Sequence, residues 1–398
     1  MTTQKVVIIG HSYSSRLGLI RSSAVAGCEV SVIVMVSEGQ KLLRPIDCHS
    51  KYVKNYYFCR RRKDDELIRL LLEKCKDDNQ KVILIPDSDE TAAAIDSNRD
   101  VLHDYFVFPH IVGGKGTVRD WMDKSKQKQL ASEVGLNVAS ASIVEIKEGQ
   151  YTIPVTINYP CFTKPLATLN GGKGGMRRCN DEEELKVALE YIAKHRSRNE
   201  KVLVEDYLDI EKEYALVGFS DGDRVIIPGL FQLLRISKSS PGIAIQGRVF
   251  PTDGFERVLS LFKEFVSRTG FVGLFDIDFF LCRGAYYFGE MNLRFGGSGY
   301  AITKMGVNLP EMMVRFLSGE EREANQQTIT GSAIYVNERL CFDDWNRGLI
   351  SWDDYSRIMK ESQIHFVQDK IDKCPWKAYL RMVNGRRVIK KIKGLLGK

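Results

Sequence analysis

The segment 271–292 constrains the fold more than any other part of the chain. It reads FVGLFDIDFFLCRGAYYFGEMN, two apolar and aromatic strand-like runs separated by a short turn. Arg283–Ala285 predicts a three-residue hairpin loop, which would pair Cys282 with Tyr286. Because both runs are apolar apart from a few acids, the hairpin is expected to belong to a buried antiparallel sheet.

Four polar residues interrupt these runs at alternate positions. In the predicted register Asp278 faces Glu290 and Asp276 faces Asn292, and the alternation of side chains puts all four on one face. Carboxylates that face each other repel unless a cation lies between them. An all-oxygen set without His or Cys suits Mg²⁺, with Mn²⁺ as a substitute. A solvated polar sheet face is the other interpretation. Arg294 continues the same face, where it would stabilise developing negative charge or pair with Asp276.

Upstream, a short strand carries Lys164 and precedes a glycine-rich loop. Such a loop lets backbone N–H groups approach phosphates, although no Gly-Lys-Ser/Thr follows as in a Walker A loop. A flexible surface hairpin is the alternative. The loop glycines are Gly171, Gly172, Gly174 and Gly175. Glu205 ends a later strand and Glu213 lies on the next one, which also fits a solvated acidic turn.

The first 115 residues alternate strands and helices, as in a parallel sheet. The turn after the first strand lacks G-x-G-x-x-G, so the fold is predicted to be Rossmann-like without a nicotinamide cofactor. Further helices are predicted near residues 123–135, 181–196, 253–269 and 309–317. The fold class is therefore α/β, with α+β character in the middle of the chain.

The net charge is concentrated at the carboxyl end. Lys+Arg minus Asp+Glu is 58 − 51 = +7, and residues 381–398 hold seven bases and no acid. A neutral body argues against a nucleic-acid-binding surface. The tail is interpreted either as a solvated disordered end or as a peripheral membrane segment.

Nine cysteines are scattered without a CxxC pair, and the N-terminus shows no signal-peptide pattern. We therefore expect reduced thiols and a cytoplasmic protein, with the tail leaving open a location at the inner face of the membrane.

These features in this order resemble the ATP-grasp superfamily over about residues 5–320. The resemblance implies that ATP and Mg²⁺ are bound. Lys124 and Lys164 would contact the α- and β-phosphates, and the glycine loop would close over the β- and γ-phosphates. Other contacts are implied for adenine (Glu205, Tyr207, Leu208), ribose (Glu213), Mg²⁺ (Asp278, Glu290, Asn292) and the acyl-phosphate (Arg294). Asp276 matches no family ligand and is expected to play a supporting role.

The segments 50–54 and 85–90 are similar to the D-aspartate ligase and carbamoyl-phosphate-synthase-like carboxylate–amine ligases. The chain departs from the common Asn-Pro-Arg at Asn292-Leu-Arg294. The resemblance implies a ligase that activates a carboxylate and joins it to an amine, with an amino acid and a cell-envelope precursor as candidate substrates. A carbamoyl-phosphate or purine-type carboxylate kinase or carboxylase, a non-catalytic ATP sensor and a homodimer remain open. The expected domains are 1–115, 116–320 (lobes 116–206 and 207–320) and 321–398.

Overall fold

A computed structural model describes residues 3–11, 13–166, 175–195, 197–240, 242–320 and 328–395. Gly171, Gly172 and Gly174 of the predicted phosphate loop lie outside the described residues. No helix in the described ranges is long and apolar enough to cross a membrane.

The first sheet of the described residues is parallel and five-stranded. Its strands are β1 (Lys5–Gly10), β2 (Glu29–Val36), β3 (Val53–Arg60), β4 (Val82–Pro86) and β5 (Phe106–Val107). The spatial order is β3-β2-β1-β4-β5. The accompanying helices are α1 (Tyr13–Val25), α2 (Asp64–Leu70), α3 (Asp89–Ser97) and α4 (Arg99–Leu102). This is the predicted Rossmann-like unit. Its strands β1, β2 and β4 are mostly buried, as expected of a sheet covered on both faces, whereas the edge strand β3 is largely exposed or partly buried.

The described strands of the second and third sheets are antiparallel apart from one pair. The remaining strands are β6 (His110–Ile111), β7 (Ala141–Ile146), β8 (Cys161–Pro165), β9 (Arg177–Cys179), β10 (Glu200–Asp206), β11 (Lys212–Asp221), β12 (Val225–Ile226), β13 (Leu230–Ile236), β14 (Ala244–Phe250), β15 (Phe271–Cys282), β16 (Ala285–Asn292), β17 (Ala333–Val336) and β18 (Ile364–His365). The second sheet has the order β7-β10-β8-β9. The third runs β16-β15-β11-β13-β14-β17-β18, with β12 on β11 and β6 on β15. Only β17 and β18 pair in parallel among these described strands.

The remaining helices follow the first sheet along the chain, and four of them lie close to the predicted positions 123–135, 181–196, 253–269 and 309–317. These remaining helices are α5 (Lys124–Glu133), α6 (Glu182–His195), α7 (Glu256–Thr269), α8 (Gly299–Lys304), α9 (Leu309–Leu317), α10 (Glu338–Asn346), α11 (Trp352–Glu361) and α12 (Cys374–Leu395). The helix α7 ends where Gly270 adopts a left-handed conformation (φ +70°), which glycine adopts without steric cost. A disordered tail is contradicted up to Leu395, because the backbone is helical to that residue.

The carboxyl-terminal residues share a core with the first sheet. Arg21 of α1 is 3% exposed and forms an ion pair with Asp372 at 3.0 Å. The same guanidinium donates to the carbonyl oxygens of Phe366 (2.7 Å) and Val367 (2.9 Å). A buried cation this fully bonded ties the two ends of the described chain together.

The hairpin β15–β16 confirms the predicted pairing but not the predicted turn. Cys282 pairs with Ala285, so the loop has two residues, and both are left-handed (Arg283 φ 50°, Gly284 φ 75°), as in a type I′ turn. An irregularity after Asp278 then shifts the register by one residue, which restores the pairing of Asp278 with Glu290. The prediction of the turn was wrong because the bulge was not foreseen.

Gly289 makes this bulge sterically feasible. A Cβ at this position would lie 2.7 Å from the carbonyl oxygen of Asp278 and 2.8 Å from the ring of Phe280. We therefore expect Gly289→Ala to lower the free energy of unfolding by about 1–3 kcal/mol, through overpacking against backbone. Urea unfolding is the measurement. Gly385→Ala is the matched control, since the backbone of Gly385 is helical and a Cβ there meets nothing within 4 Å. Equal stability of the two variants would contradict this account of the bulge.

Candidate functional site

Three carboxylates and an amide lie on one face of the hairpin, as predicted. Asp278 is directly opposite Glu290, and Asp276 is directly opposite Asn292. Asp276 is 8% exposed, and its Oδ1 atom has no hydrogen-bond partner among the described residues. Burial raises the pKa of Asp276 to about 6 and also raises the pKa of Asp278, with the neighbouring acids adding to both shifts.

The amino-terminal end of α5 brings a cation to these acids. Asp123 caps the helix by accepting from the backbone N–H of Ser125 at 2.7 Å. Lys124, the next residue, pairs with Glu290 at 2.7 Å. Burial alone would raise the pKa of Glu290, but Lys124 and the nearby cations outweigh burial and lower this pKa.

Gln127 fixes the helix on the hairpin. Its side-chain N–H groups donate to the carbonyl oxygens of Trp121 (2.6 Å) and Met291 (2.8 Å), and its Oε1 accepts from the N–H of Met291 at 2.8 Å. Met291 lies between Glu290 and Asn292. A buried amide with these bonds holds Lys124 at a defined height above the carboxylates.

The second sheet contributes a cluster of two lysines around one glutamate. Glu205 on β10 pairs with Lys164 on β8 at 2.7 Å and with Lys128 on α5 at 2.6 Å. Burial raises the pKa of Glu205, but the two lysines outweigh it and lower the pKa. Lys128 lies one turn after Lys124, on the same helix face. Lys128 was not among the residues predicted from the sequence, although its i,i+4 spacing from Lys124 was a usable signal.

The charged form of Lys128 is disfavoured by its surroundings. Lys128 is 8% exposed, and burial together with the cations Lys164 and Lys124 lowers its pKa despite the bond to Glu205. Three lysines and two glutamates thus form two sets of ion pairs, Lys124–Glu290 and Lys128–Glu205–Lys164, which α5 joins. Such a cationic group is suited to receive a polyanion.

Arg294 has partners that the sequence analysis did not assign. Its Nε pairs with Asp89, the first residue of α3, at 3.2 Å, and a terminal N–H donates to Oδ1 of Asn292 at 3.3 Å. The predicted pairing with Asp276 is therefore not a hydrogen bond, although the charge of Arg294 acts to lower the pKa of Asp276. The missed signal was the run Asp87–Glu90 at the carboxyl end of β4, where ligand-binding residues of parallel sheets gather.

The other predicted residues lie around these groups. Glu213 is on β11, two residues before Ala215, which is opposite Asp278. The charge of Glu213 contributes to the raised pKa of Asp278. Tyr207 donates its backbone N–H to the carbonyl of Pro160 at 3.0 Å, and Leu208, the next residue, is partly buried.

Gly175 is the one glycine of the predicted loop that is described. It has φ +89°, and a Cβ there would lie 2.4 Å from Ile192, so glycine is required on both counts. Its carbonyl accepts from the hydroxyl of Thr163 at 2.6 Å, which ties the end of the loop to β8.

A cavity of about 470 Å³ separates the first sheet from the third. The acidic hairpin and Arg294 border it on one side, and residues that follow β1, β3 and β4 border it on the other. The latter include His11, Arg61 and the segment 87–90. Its size is typical of small-molecule sites, about 300–1,000 Å³.

The oxygen ligands on the hairpin fit a hard cation that also binds water and phosphate oxygens. In the described chain no three His, Cys, Asp or Glu side chains are grouped closely enough to hold a metal ion. Asp278, Glu290 and Asn292 instead offer two carboxylates and one amide. Mg²⁺ commonly takes few protein ligands and completes its shell with water and phosphate oxygens, so this set fits Mg²⁺ together with a phosphorylated ligand.

The comparisons with known proteins agree with this geometry. Residues 123–324 match the model of the family described as carbamoyl-phosphate synthase L chain, ATP binding domain. The match covers just over half of the chain, which therefore belongs to this family and to the ATP-grasp superfamily, as predicted.

Individual relatives are distant. The carbamoyl phosphate synthase large chain of Clostridium perfringens (strain SM101 / Type A) is 26% identical over 217 residues, which are 52% of this chain and 20% of that protein. The chain thus spans about a fifth of that relative's length. The biotin carboxylase domain of the Hydrogenobacter thermophilus 2-oxoglutarate carboxylase has a TM-score of 0.63 at 20% identity, covering 84% of this chain and 74% of that one. The L-amino acid ligase of Bacillus licheniformis has a TM-score of 0.61 at 16% identity, covering 84% and 80%. These two structures share the fold.

The raised pKa of Asp276 makes a prediction about stability. An unfolded Asp loses its proton near pH 4, whereas folded Asp276 keeps it to about pH 6. The folded state binds more protons in this window, so stability falls as the pH rises through it. We expect Asp276→Asn to be ~2 kcal/mol more stable than the wild type at pH 7.5 without divalent cations, and the gain to vanish near pH 4.

Urea unfolding at both pH values checks this. Asp209→Asn, at an exposed position, is the control and is expected to change stability little at either pH. A variant no more stable than the wild type at pH 7.5 would mean that Asp276 carries no buried negative charge.

Proposed function

We propose that the chain is an ATP- and Mg²⁺-dependent ligase that activates a carboxylate as an acyl-phosphate and joins it to an amine. The observation that carries this proposal is the opposition of Asp278 and Glu290 on a buried hairpin, with Lys124 bonded to Glu290. Acids and lysines arranged in this way can bind a cation and a polyphosphate together.

The nucleotide would lie between the second and third sheets. Lys124 and Lys164 would leave their glutamate partners for the α- and β-phosphates, and Lys128 would retain Glu205 in place. Glu205, Tyr207 and Leu208 line the end of β10 and would contact adenine. Glu213 would hold the ribose. Gly171, Gly172, Gly174 and Gly175 would cover the β- and γ-phosphates.

Asp278, Glu290 and Asn292 would hold Mg²⁺, and Asp276, two residues before Asp278 on the same face, would support it. Mg²⁺ held by these residues would supply charge neutralisation on the phosphates and polarisation of the γ-phosphoryl group. The lysines add the rest of the positive charge, so the chain's own contribution is positioning and charge neutralisation.

The reaction has two steps. A carboxylate oxygen attacks the γ-phosphorus, the bond to the β-phosphate oxygen breaks, and ADP leaves. The amine nitrogen then attacks the acyl carbon, the bond to the phosphate oxygen breaks, and orthophosphate leaves while the amine gives up a proton. Arg294, oriented by Asp89 and Asn292, is placed beside both the cavity and the acids. It would stabilise the acyl-phosphate.

We expect Glu290→Gln to lower ATP turnover by at least 100-fold, because the variant loses a metal ligand and the partner of Lys124. ADP release is the measurement, and circular dichroism checks the fold. Glu133→Gln is the control, since Glu133 pairs with Arg268 at 2.9 Å while 44% exposed. Full activity of Glu290→Gln would refute the metal assignment.

A second candidate is a carboxylase or carboxylate kinase of the carbamoyl-phosphate or purine type. It is favoured by the resemblance to a biotin carboxylase domain whose structure contains MgADP and bicarbonate. ADP release that depends on bicarbonate and needs no amino acid would favour it over the ligase. ATP binding without ADP release under any condition would instead indicate a non-catalytic ATP sensor.

A cell-envelope precursor is our candidate acceptor, and it rests on the basic end of the chain. Residues 386–398 contain six bases and no acid, which suits an anionic membrane surface at the inner face of a cell membrane. Val383 is 5% exposed in the core, so a truncation after Gly385 spares the packed part of α12. Membrane binding through this basic end would make the chain a cytoplasmic, peripheral membrane protein.

We expect the truncated protein to lose binding to vesicles of anionic lipid, because most of the charge at this end is removed. Co-sedimentation at low and physiological salt is the measurement, and vesicles of neutral lipid are the control. Equal sedimentation of the full-length and truncated chains would reject membrane contact.

A further inference from the structure

The face of the third sheet that carries the acids continues into an apolar surface. Asp278 is opposite Ala215 on β11, and Ala215 is opposite Phe231 on β13. Directly opposed residues of antiparallel strands lie on the same face. The row of opposed residues across the sheet therefore begins with the acids Glu290 and Asp278 and continues with the apolar residues Ala215 and Phe231.

This apolar surface borders the cavity. Its members, here called the apolar wall, are Phe231, Leu233, Ile243, Ala244 and Tyr335. Leu233 and Tyr335 both face Gly247 from opposite sides, and Phe231 packs edge-to-face on Tyr335 at 5.7 Å. The wall thus joins the β13–β14 hairpin to a strand from the carboxyl-terminal part of the chain.

Gly247 sets the depth of the wall. A Cβ on Gly247 would lie 2.0 Å from the ring of Phe231. Because Gly247 has no side chain, the ring of Phe231 can pack directly against the backbone of β14. Ile243 is 40% exposed although it borders the cavity, so part of the apolar surface remains uncovered.

The loop that carries Ile243 is anchored from behind. Asp344 of α10 is fully buried and accepts from the hydroxyl of Ser237 (3.0 Å) and from the backbone N–H groups of Lys238 (2.8 Å) and Ser239 (2.9 Å). A buried carboxylate with three donors fixes the start of this loop. The apolar wall is therefore preformed in the absence of a ligand.

The spacing suits a small molecule with two unlike ends. Phe231 lies two strands from Asp278, which is about 10 Å across the sheet. Arg294 lines the same cavity as the wall, so a substrate whose carboxylate binds Arg294 would have its apolar part free to reach the wall. The wall itself carries no charged side chain.

We propose that the apolar wall binds the apolar side chain of an amino acid substrate and selects it against charged amino acids. This proposal rests on the proposed ligase function for the reaction, but it concerns binding. The wall is separate from the residues placed in metal and phosphate binding. Desolvating a charged side chain against such a wall is costly, because the wall offers it no partner.

The test is calorimetric titration of the full chain with leucine, phenylalanine, aspartate and lysine, in the presence of Mg²⁺ and a non-hydrolysable ATP analogue. We expect leucine or phenylalanine to bind at least tenfold more tightly than aspartate or lysine. We expect Ile243→Asp and Leu233→Asp each to weaken that binding at least tenfold.

Leu234→Asp is the matched control. Leu234 is 38% exposed, close to the 40% of Ile243, and is not part of the cavity lining, so its variant is expected to bind as the wild type does. Tighter binding of aspartate or lysine, no binding of any of the four, or equal losses in Ile243→Asp and Leu234→Asp would overturn the proposal. Failure of the ligase function would appear separately, as absence of ADP release by a wild type that still binds leucine.

Discussion

Two carboxylates held face to face across a buried hairpin are costly to fold. Asp278 and Glu290 occupy directly opposed positions, where like charges repel and burial raises the cost of each charge. Lys124 relieves part of this cost by bonding to Glu290 at 2.7 Å, and burial with the neighbouring acids leaves the pKa of Asp278 raised. A cation between the acids would remove the remainder, and this need explains why lysines and the Arg294–Asp89 pair surround the hairpin.

The fold keeps this arrangement rigid by non-local contacts. The bulge at Gly289 sets the register of the acids, and Gln127 locks α5 to the strand between Glu290 and Asn292. Glu205 joins Lys128 of the helix to Lys164 of the second sheet. The acidic hairpin and the lysine cluster are therefore one connected network, so a charged ligand that breaks one ion pair alters the others.

The sequence predicted the elements better than their contacts. The alternation in β15 and β16 correctly gave the acids one face, and the predicted parallel sheet and helices are present near their expected positions. The hairpin loop was wrong by one residue, because a bulge depends on close backbone approach at Gly289 and leaves no periodic signal. Lys128 and Asp89 were missed because their partners Glu205 and Arg294 are distant in sequence, and burial of a charge is decided by tertiary packing.

All the roles proposed for the hairpin require that Asp278 and Glu290 hold a divalent cation bridged to a nucleotide. Anomalous diffraction from crystals grown with Mn²⁺ and ADP tests this requirement most directly, since Mn²⁺ replaces Mg²⁺ at oxygen sites. We expect a metal peak within about 2.0–2.3 Å of a carboxylate oxygen of each residue, with Lys124 moved from Glu290 to a phosphate. A nucleotide bound elsewhere, or a metal held away from the hairpin while Lys124 still bonds Glu290, would contradict it.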